Sequence, residues 1–135
     1  MPVEKPIPHA NLSDRFLEFS VRIGKVVDAL PRRSPVGRHV AGQLVRCGTS
    51  SAPNYEEACA VESRDDFTHK LRISLKEMRE TRFWLRYIVH AELLPQKRMA
   101  PMVDESEQLC NILGKSLVTA KSNAGKSPNL DASNR

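Results

Sequence analysis

A single stretch of the chain, residues 47–63, combines the side chains that most often do chemistry. It reads CGTSSAPNYEEACAVES and holds two thiols, Cys47 and Cys59, together with three hydroxyls at 49–51. A thiol or hydroxyl nucleophile needs a base in hydrogen-bonding reach and a third group that orients the base. The stretch contains no histidine, and its helical spacing puts both thiols on or beside an apolar face, where burial raises the pKa of a thiol. We therefore predict no catalytic nucleophile here and no enzymatic activity.

Metal binding is the second chemistry to consider, because helical bundles often hold metal ions. A di-iron carboxylate bundle needs a Glu on each of two helices and Glu-x-x-His on each of the other two. This chain offers one approximation, Asp66-Phe-Thr-His69, while His39 and His90 stand alone. The cysteines lack the local spacing of zinc sites, and no glycine-rich motif follows a strand as a phosphate loop would. The sequence therefore predicts no metal, no cofactor and no small-molecule substrate.

Length, composition and charge are those of a small soluble domain. The chain has 135 residues, of which 40% are hydrophobic and 27% are charged, values that are ordinary for a globular protein. No apolar run approaches the length of a membrane span, the N-terminus lacks the apolar core of a signal peptide, and no CxxC pair occurs. We therefore expect a cytoplasmic protein without membrane contact. The net charge of +5 favours anionic partners, nucleic acid among them.

Apolar spacing predicts two helices in the first half of the chain. Apolar residues recur every three or four positions over 12–30, which is the stripe of a helix with one buried face. Asn11 or Ser13 can cap its start. A second helix is predicted over about 36–58, with small residues along its facing side. Because Pro53 lies inside this helix, we expect a kink near Pro53.

Two further helices complete the predicted fold. Ser63 followed by two aspartates is typical of a helix start, and the third helix continues to about Ala91. The fourth begins between Gln96 and Met102 and ends near Lys121. Because short loops make consecutive helices antiparallel neighbours, we predict an all-α fold, an up-down-up-down four-helix bundle. The predicted divisions are an extended N-terminal tail at 1–11, the bundle at 12–122 and a disordered C-terminal tail at 123–135.

Two sets of cations form the candidate binding surface. They are a strip along the third helix, Arg72, Lys76, Arg79, Arg82 and Arg86, and a cluster at the first loop, Arg32, Arg33 and Arg38. Like charges at i, i+4 repel by roughly 0.2–0.5 kcal/mol, so the strip is expected to meet anions. Three interpretations stay open: carboxylates of a neighbouring subunit (Glu56, Glu57, Glu77 or Glu80), nucleic-acid phosphates, or an ordinary solvated face. The first-loop cluster is a candidate phosphate contact that lacks interleaved aromatics for stacking bases.

Phe83, Trp84 and Tyr87 occupy three adjacent rows of the third predicted helix. One bundle core cannot enclose all three together with Leu85 and Ile88, because apolar residues spread around a helix need burial on more than one side. Aromatic residues and arginine are also enriched at interface hot spots. We therefore predict that Phe83, Trp84 and Tyr87 form a subunit interface rather than a ligand pocket.

The segment 48–85 resembles a bacterial family of four-helix-bundle proteins, which includes proteins encoded by intervening sequences within 23S ribosomal RNA genes. The positions that carry the resemblance are Gly48, Thr49, Ser50, Asn54, Tyr55, Glu57, Asp66, Phe67, Lys70, Glu77, Glu80 and Trp84. A looser likeness in helical layout extends over 12–117. Ala52-Pro53 departs from the small residue and alanine expected at this point.

The resemblance implies a ring-shaped homo-oligomer, commonly a pentamer, with no known catalytic activity. A relative of similar fold, the accessory protein of diversity-generating retroelements, forms a basic ring and binds nucleic acid and a reverse transcriptase. Because a shared fold does not fix function, these properties are expectations for this chain. Together with the cations they favour a non-enzymatic assembly module that binds RNA or a nucleoprotein. The alternative is a protein–protein adaptor without nucleic-acid binding.

The stretch at 47–63 then has an architectural interpretation. Its small residues let the second helix pack closely, and its hydroxyls are expected to bond back to carbonyls of their own helix. Asn54, Tyr55 and Glu57 are expected to tie the bend at Pro53 to neighbouring helices.

Overall fold

The computed structural model describes residues 11–124, and within them all regular structure is helical. The helices are α1 (Leu12–Ala29), α2 (Pro35–Gly48), α3 (Ser51–Ala60), α4 (Arg64–His90) and α5 (Gln96–Ala124). Only Thr49 and Ser50 separate α2 from α3, so these two helices form a single interrupted rod. The described chain therefore has four rods, and the all-α prediction is confirmed.

The first rod runs antiparallel to the second. Phe16 of α1 stacks on Tyr55 of α3 with ring centroids 4.8 Å apart, whereas Ile23, two turns later, lies against Gly48 of α2. An added Cβ at Gly48 would lie 2.6 Å from Cγ2 of Ile23, so the absence of a side chain lets the two rods approach closely. The predicted role of small residues in this packing is confirmed at Gly48.

The third rod pairs with the second in the same antiparallel manner. Arg46 of α2 contacts Glu80, and Glu57 of α3 contacts Lys70, so the order along one rod is reversed along the other. The fourth rod, α5, packs against α4 and α1. Each rod therefore has two neighbours, which is the arrangement of an up-down-up-down bundle.

Apolar faces of all four rods meet in one core. Its largest fully buried side chains include Phe16, Phe19, Ile23, Leu44, Leu71, Met78, Leu85, Ile88, Met99, Leu109 and Leu113. Burial of each such side chain contributes about 1.5–3 kcal/mol to folding. The core therefore fixes the rods, and the polar side chains between them take positions that the core dictates.

The interruption of the second rod differs from the predicted kink. Helical hydrogen bonding breaks at Thr49 and Ser50, and Pro53 lies in the first turn of α3. A proline clashes with the carbonyl four residues earlier, which here belongs to Thr49. In the first turn of a new helix, a backbone N–H has no helical acceptor, so the missing N–H of proline costs no helical hydrogen bond there. The bend therefore forms one turn before Pro53, as a break between two helices.

Of the two predicted helix caps, the structure confirms one. The Ser63 side chain accepts a hydrogen bond from the Asp66 N–H at 3.0 Å, so the predicted cap of α4 is confirmed. Asn11 occupies the cap position of α1 without a side-chain hydrogen bond, and Ser13 lies inside the helix, so that cap prediction is wrong. Glu92 has φ 55° after α4 and occupies the left-handed position that often follows a helix.

The predicted tails fall almost entirely outside the described residues. This applies to 1–10 of the extended N-terminal tail and to 125–135 of the disordered C-terminal tail. Within the described part, α5 continues to Ala124, two residues beyond the predicted bundle boundary at 122.

Candidate functional site

The hydroxyls of the stretch 47–63 are used for architecture. Thr49 Oγ1 donates to the Val45 carbonyl, and Ser50 Oγ donates to the Arg46 carbonyl. Both bonds lie within the interrupted rod, as predicted. They satisfy carbonyls at the end of α2, so neither hydroxyl is presented as a nucleophile.

Ser51 behaves differently, because it joins α3 to α4 inside the core. Its Oγ lies 2.9 Å from both the carbonyl and the Oγ of Ser74, and Ser74 Oγ donates to the Ser51 carbonyl at 2.8 Å. Both side chains are fully buried. The pair satisfies polar groups that would be costly to bury alone. Sequence reasoning missed it, because two serines 23 residues apart carry no pairing signal.

Two of the three predicted ties at the bend are confirmed. Tyr55 stacks on Phe16 of α1, and Glu57 Oε1 lies 2.6 Å from Lys70 Nζ of α4. The prediction for Asn54 is wrong, because its Nδ2 donates to the Ser50 carbonyl of its own rod at 2.8 Å. The bend is therefore held from two sides by one aromatic contact and one ion pair.

The three cysteines lie in different environments. Cys47 and Cys110 are buried, and burial raises the pKa of each thiol. Cys59 is exposed, which corrects its predicted position beside the apolar face. It lies next to Tyr55, whose pKa is raised to about 12 by burial and then by the hydrogen bond with Cys59. The two buried thiols are therefore held in the protonated form at neutral pH.

A polar seam joins α2 to α4 along the family-like positions. Arg46 pairs with Glu80 and, at 3.4 Å, with Glu77. The Trp84 indole Nε1 donates to Glu80 at 3.2 Å. Hydrogen bonding to Arg46 lowers the pKa of Glu80, with burial partly opposing the shift. Glu77 and Glu80 are thus paired with Arg46 inside their own chain, and the charge of Lys76, a cation of the predicted strip, also helps to lower the pKa of Glu80.

Acidification is expected to remove the contribution of Glu80 to stability. A carboxylate whose pKa is lowered on folding stabilises the fold above its unfolded pKa, about 4.3, and loses that contribution as pH falls through the folded value. The Glu80→Gln variant should therefore lose less stability than the wild type between pH 6 and pH 3. The difference should be below about 1 kcal/mol, because the pair is partly exposed. Denaturant unfolding at several pH values measures it, with Glu18→Gln, a carboxylate without an ion pair within 11–124, as the control.

Four of the five predicted strip cations line a groove between α4 and the second half of α5. Arg72, Lys76, Arg79 and Arg82 come from α4, and Lys115 joins them from α5; we call these five residues the basic groove. Its larger part encloses about 800 Å³. No aspartate or glutamate lines it, and none of its cations has an ion pair within residues 11–124. Within the described residues the basic groove is therefore a cationic surface without ion pairs, although the charge of Lys76 helps to lower the pKa of Glu80.

Arg86, the fifth member of the predicted strip, has other surroundings. It borders a separate cavity of about 260 Å³, where Asp104 and Glu107 line the opposite side. These carboxylates weaken the local positive potential. The structure therefore separates Arg86 from the other four cations.

The first-loop cluster is exposed and only loosely held. Arg32 Nη2 lies 3.7 Å from Asp28 in an exposed pair, and Arg38 Nη1 donates to the Arg32 carbonyl at 2.9 Å. Exposed pairs of this kind contribute little to stability. Arg33 is also exposed. The cluster lies at the end of the bundle where α4 terminates, since α2 places His39 against Trp84 there.

An aromatic patch surrounds Trp84 on the α2–α4 side. The Trp84 ring lies 4.9 Å from Phe83, 5.5 Å from Tyr87 and 5.7 Å from His39, measured between centroids. Trp84 is half-buried, whereas Phe83 is 55% and Tyr87 36% exposed. We call these four residues the aromatic patch. Sequence reasoning missed His39, because it belongs to another helix and no local pattern links it to Trp84.

Two features are absent from the part of the chain that the structure describes. No group of three or more His, Cys, Asp or Glu side chains there could hold a metal ion. Over the same residues, no helix is both long enough and apolar enough to cross a membrane. Within this range the cations and the aromatic patch are thus the features left to explain.

Comparisons with known proteins agree on one family. A model of the family described as 23S rRNA-intervening sequence protein matches residues 11–115. A solved structure is also similar: a protein of unknown function from the S23 ribosomal protein family of Bacteroides thetaiotaomicron VPI-5482, 32% identical, with a TM-score of 0.71. The match covers 78% of this chain and 96% of that chain. No functionally curated protein matches. The similarity therefore concerns fold and family and brings no assigned activity.

Proposed function

The chain belongs to the 23S rRNA-intervening sequence protein family, and we propose that it acts as a non-enzymatic assembly module that binds RNA. In this proposal several copies form a ring-shaped homo-oligomer, a pentamer as the family resemblance implies. The aromatic patch is covered by another copy of the chain. The cations of the basic groove remain available to RNA phosphates.

The exposed aromatic patch supports the assembly part of the proposal. Aromatic side chains bury large apolar areas, and Phe83 and Tyr87 leave theirs in solvent in the single chain. Aromatic residues are hot spots of protein interfaces more often than other side chains. Because the three rings and His39 already contact one another, the patch is preorganised and loses little side-chain freedom when a second copy covers it.

The cations of the basic groove support the RNA-binding part of the proposal. In the described chain, Glu77 and Glu80 of the α2–α4 seam form ion pairs with Arg46, and Glu57 forms an ion pair with Lys70. The groove cations repel one another and form no ion pair within residues 11–124, and an anion with regularly spaced charges relieves that repulsion. A nucleic-acid backbone has this property, and its binding is driven by release of counterions.

A salt-dependent RNA titration tests this function. Labelled RNA should bind the wild-type protein with an affinity that falls steeply between 50 and 200 mM salt. The Lys76→Ala/Arg79→Ala variant should bind at least about tenfold more weakly at 50 mM salt, with a salt slope reduced by about 0.7–0.9 per lost phosphate contact. Fluorescence anisotropy measures both quantities.

The matched control removes one arginine and one lysine at the same spacing from α1, in the Arg22→Ala/Lys25→Ala variant. The control should bind like the wild type, because neither residue lines the basic groove. Equal weakening by both variants would mean that net charge, not the groove, attracts RNA. Absence of salt-dependent binding by the wild type would contradict the RNA-binding function and favour a protein–protein adaptor, for which the aromatic patch is the available surface.

A further inference from the structure

We propose that the basic groove binds one single strand of RNA, with its phosphates along α4 and its bases against an apolar floor. This inference rests on the proposed RNA-binding function and specifies its ligand. It assigns separate tasks to the cations on the rim and to the aliphatic residues between them.

The cations of α4 are arranged to follow a backbone. Arg72, Lys76, Arg79 and Arg82 succeed one another at intervals of three or four residues, which is about 4.5–6 Å along a helix. Lys115 faces them from α5. Because Lys and Arg side chains are long and exposed here, each can reach a successive phosphate of a strand laid parallel to α4.

The floor between the cations is open and includes aliphatic residues, with Asn111 and Thr119 beside them. Leu75 and Leu117 line both parts of the groove, and Val118 at its edge is 69% exposed. An added Cβ at Gly114 would meet nothing within 4 Å, so the groove deepens at this position. Phosphates gain nothing from contact with aliphatic side chains, whereas the faces of unpaired bases are largely apolar. An aliphatic floor accepts every base, so little sequence preference is expected.

The position of the groove between two neighbouring helices favours a single strand. The axes of packed helices lie about 8–10 Å apart, so a surface groove between them is narrow compared with a double helix. A duplex would contact the cations on the rim and leave the floor exposed. Only an unpaired strand can use both the cations and the floor.

An acidic amphipathic helix is the other ligand with matching charge and apolar character. It would present carboxylates to the rim and aliphatic side chains to the floor. The RNA strand is favoured because four of the five cations follow one another along one helix, α4, as phosphates do along a backbone, while α5 contributes Lys115 alone. The acidic helix becomes one of the outcomes of the test.

The Gly114→Leu variant tests the floor without touching a charge. Leucine fills the groove at a position with open space, and it favours helix more than glycine does, so the melting temperature should not fall. Gly24→Leu is the matched control, because Gly24 lies in the middle of α1 and an added Cβ there also meets nothing within 4 Å. Val118→Asn is a second floor variant at an exposed position.

Anisotropy titrations compare a 12-nucleotide oligouridylate with a 12-base-pair RNA duplex at 50 and 200 mM salt. We expect the wild type to bind the single strand at least about tenfold more tightly, and Gly114→Leu to lose at least that factor for the single strand only. Its salt slope should be unchanged, because no phosphate contact is lost. Gly24→Leu should match the wild type, and Val118→Asn should weaken the single strand in the same direction as Gly114→Leu.

The outcomes separate this inference from the function on which it rests. Equal or tighter duplex binding, with Gly114→Leu like the wild type, would overturn the single-strand inference and leave RNA binding standing. No salt-dependent binding of either RNA would overturn both. If instead a polyglutamate-leucine helical peptide binds and Gly114→Leu abolishes that binding, the groove serves a protein partner and the inference is wrong.

Discussion

Replacing Phe83 and Tyr87 together by glutamate is expected to convert the proposed oligomer into a folded monomer of 15.2 kDa. Both side chains are exposed in the single chain, so neither replacement opens a cavity in the core. Glutamate is also a good helix former. Two carboxylates placed in an apolar interface must be desolvated without partners, which costs several kcal/mol. The expected loss therefore falls on association and not on folding.

Light scattering coupled to size exclusion measures the mass, and circular dichroism checks that helix content is kept. Val45→Glu is the control, because Val45 is exposed to a similar degree but lies outside the aromatic patch. The control should retain the wild-type mass. A double variant that stays assembled would show that the aromatic patch is not the interface.

The Leu85→Ala variant is expected to lose about 2–5 kcal/mol of the free energy of unfolding. Leu85 is fully buried in the core cluster, so truncation removes buried methyl groups and leaves a cavity. A loss of this size is a large part of the roughly 5–15 kcal/mol that holds a domain together. Denaturant unfolding gives the difference, at one fixed protein concentration because association adds to apparent stability.

Leu17→Ala makes the same chemical change at a side chain that is 60% exposed. It should cost less than about 1 kcal/mol, since exposed substitutions leave no cavity. Comparable losses from the two variants would mean that α1 is covered in solution by another molecule, or that Leu85 is not in the core. The ratio of the unfolding free energies lost in Leu85→Ala and Leu17→Ala thus shows whether Leu85 is in the core and Leu17 on the surface.

The rods of the bundle could be predicted because each one repeats its apolar residues with the helical period. The seam that contains Phe16, Phe19 and Ile23 becomes a buried face for this reason. Ser63 could be recognised as a cap because its partner lies three residues away. Such features depend on near neighbours in the chain, where spacing alone determines contact.

The features that escaped prediction depend on which residues the fold brings together. The hydrogen bonds between Ser51 and Ser74 and the contact of His39 with Trp84 join separate rods. Nothing in the sequence around Glu80 indicated that Arg46 would pair with it; of the strip cations, Lys76 also contributes to lowering the pKa of Glu80. Likewise, the division of the cation strip depends on how α4 packs against α5. Four of its cations line the basic groove, whereas Arg86 borders a separate cavity.

The absolute mass of the wild-type protein at micromolar concentration is the most direct measurement of the central claim, that copies of this chain cover one another through the aromatic patch. Multi-angle light scattering should give several times the chain mass of 15.2 kDa, and five times that mass for the proposed ring. A homogeneous species of 15.2 kDa that keeps its helix content would contradict it.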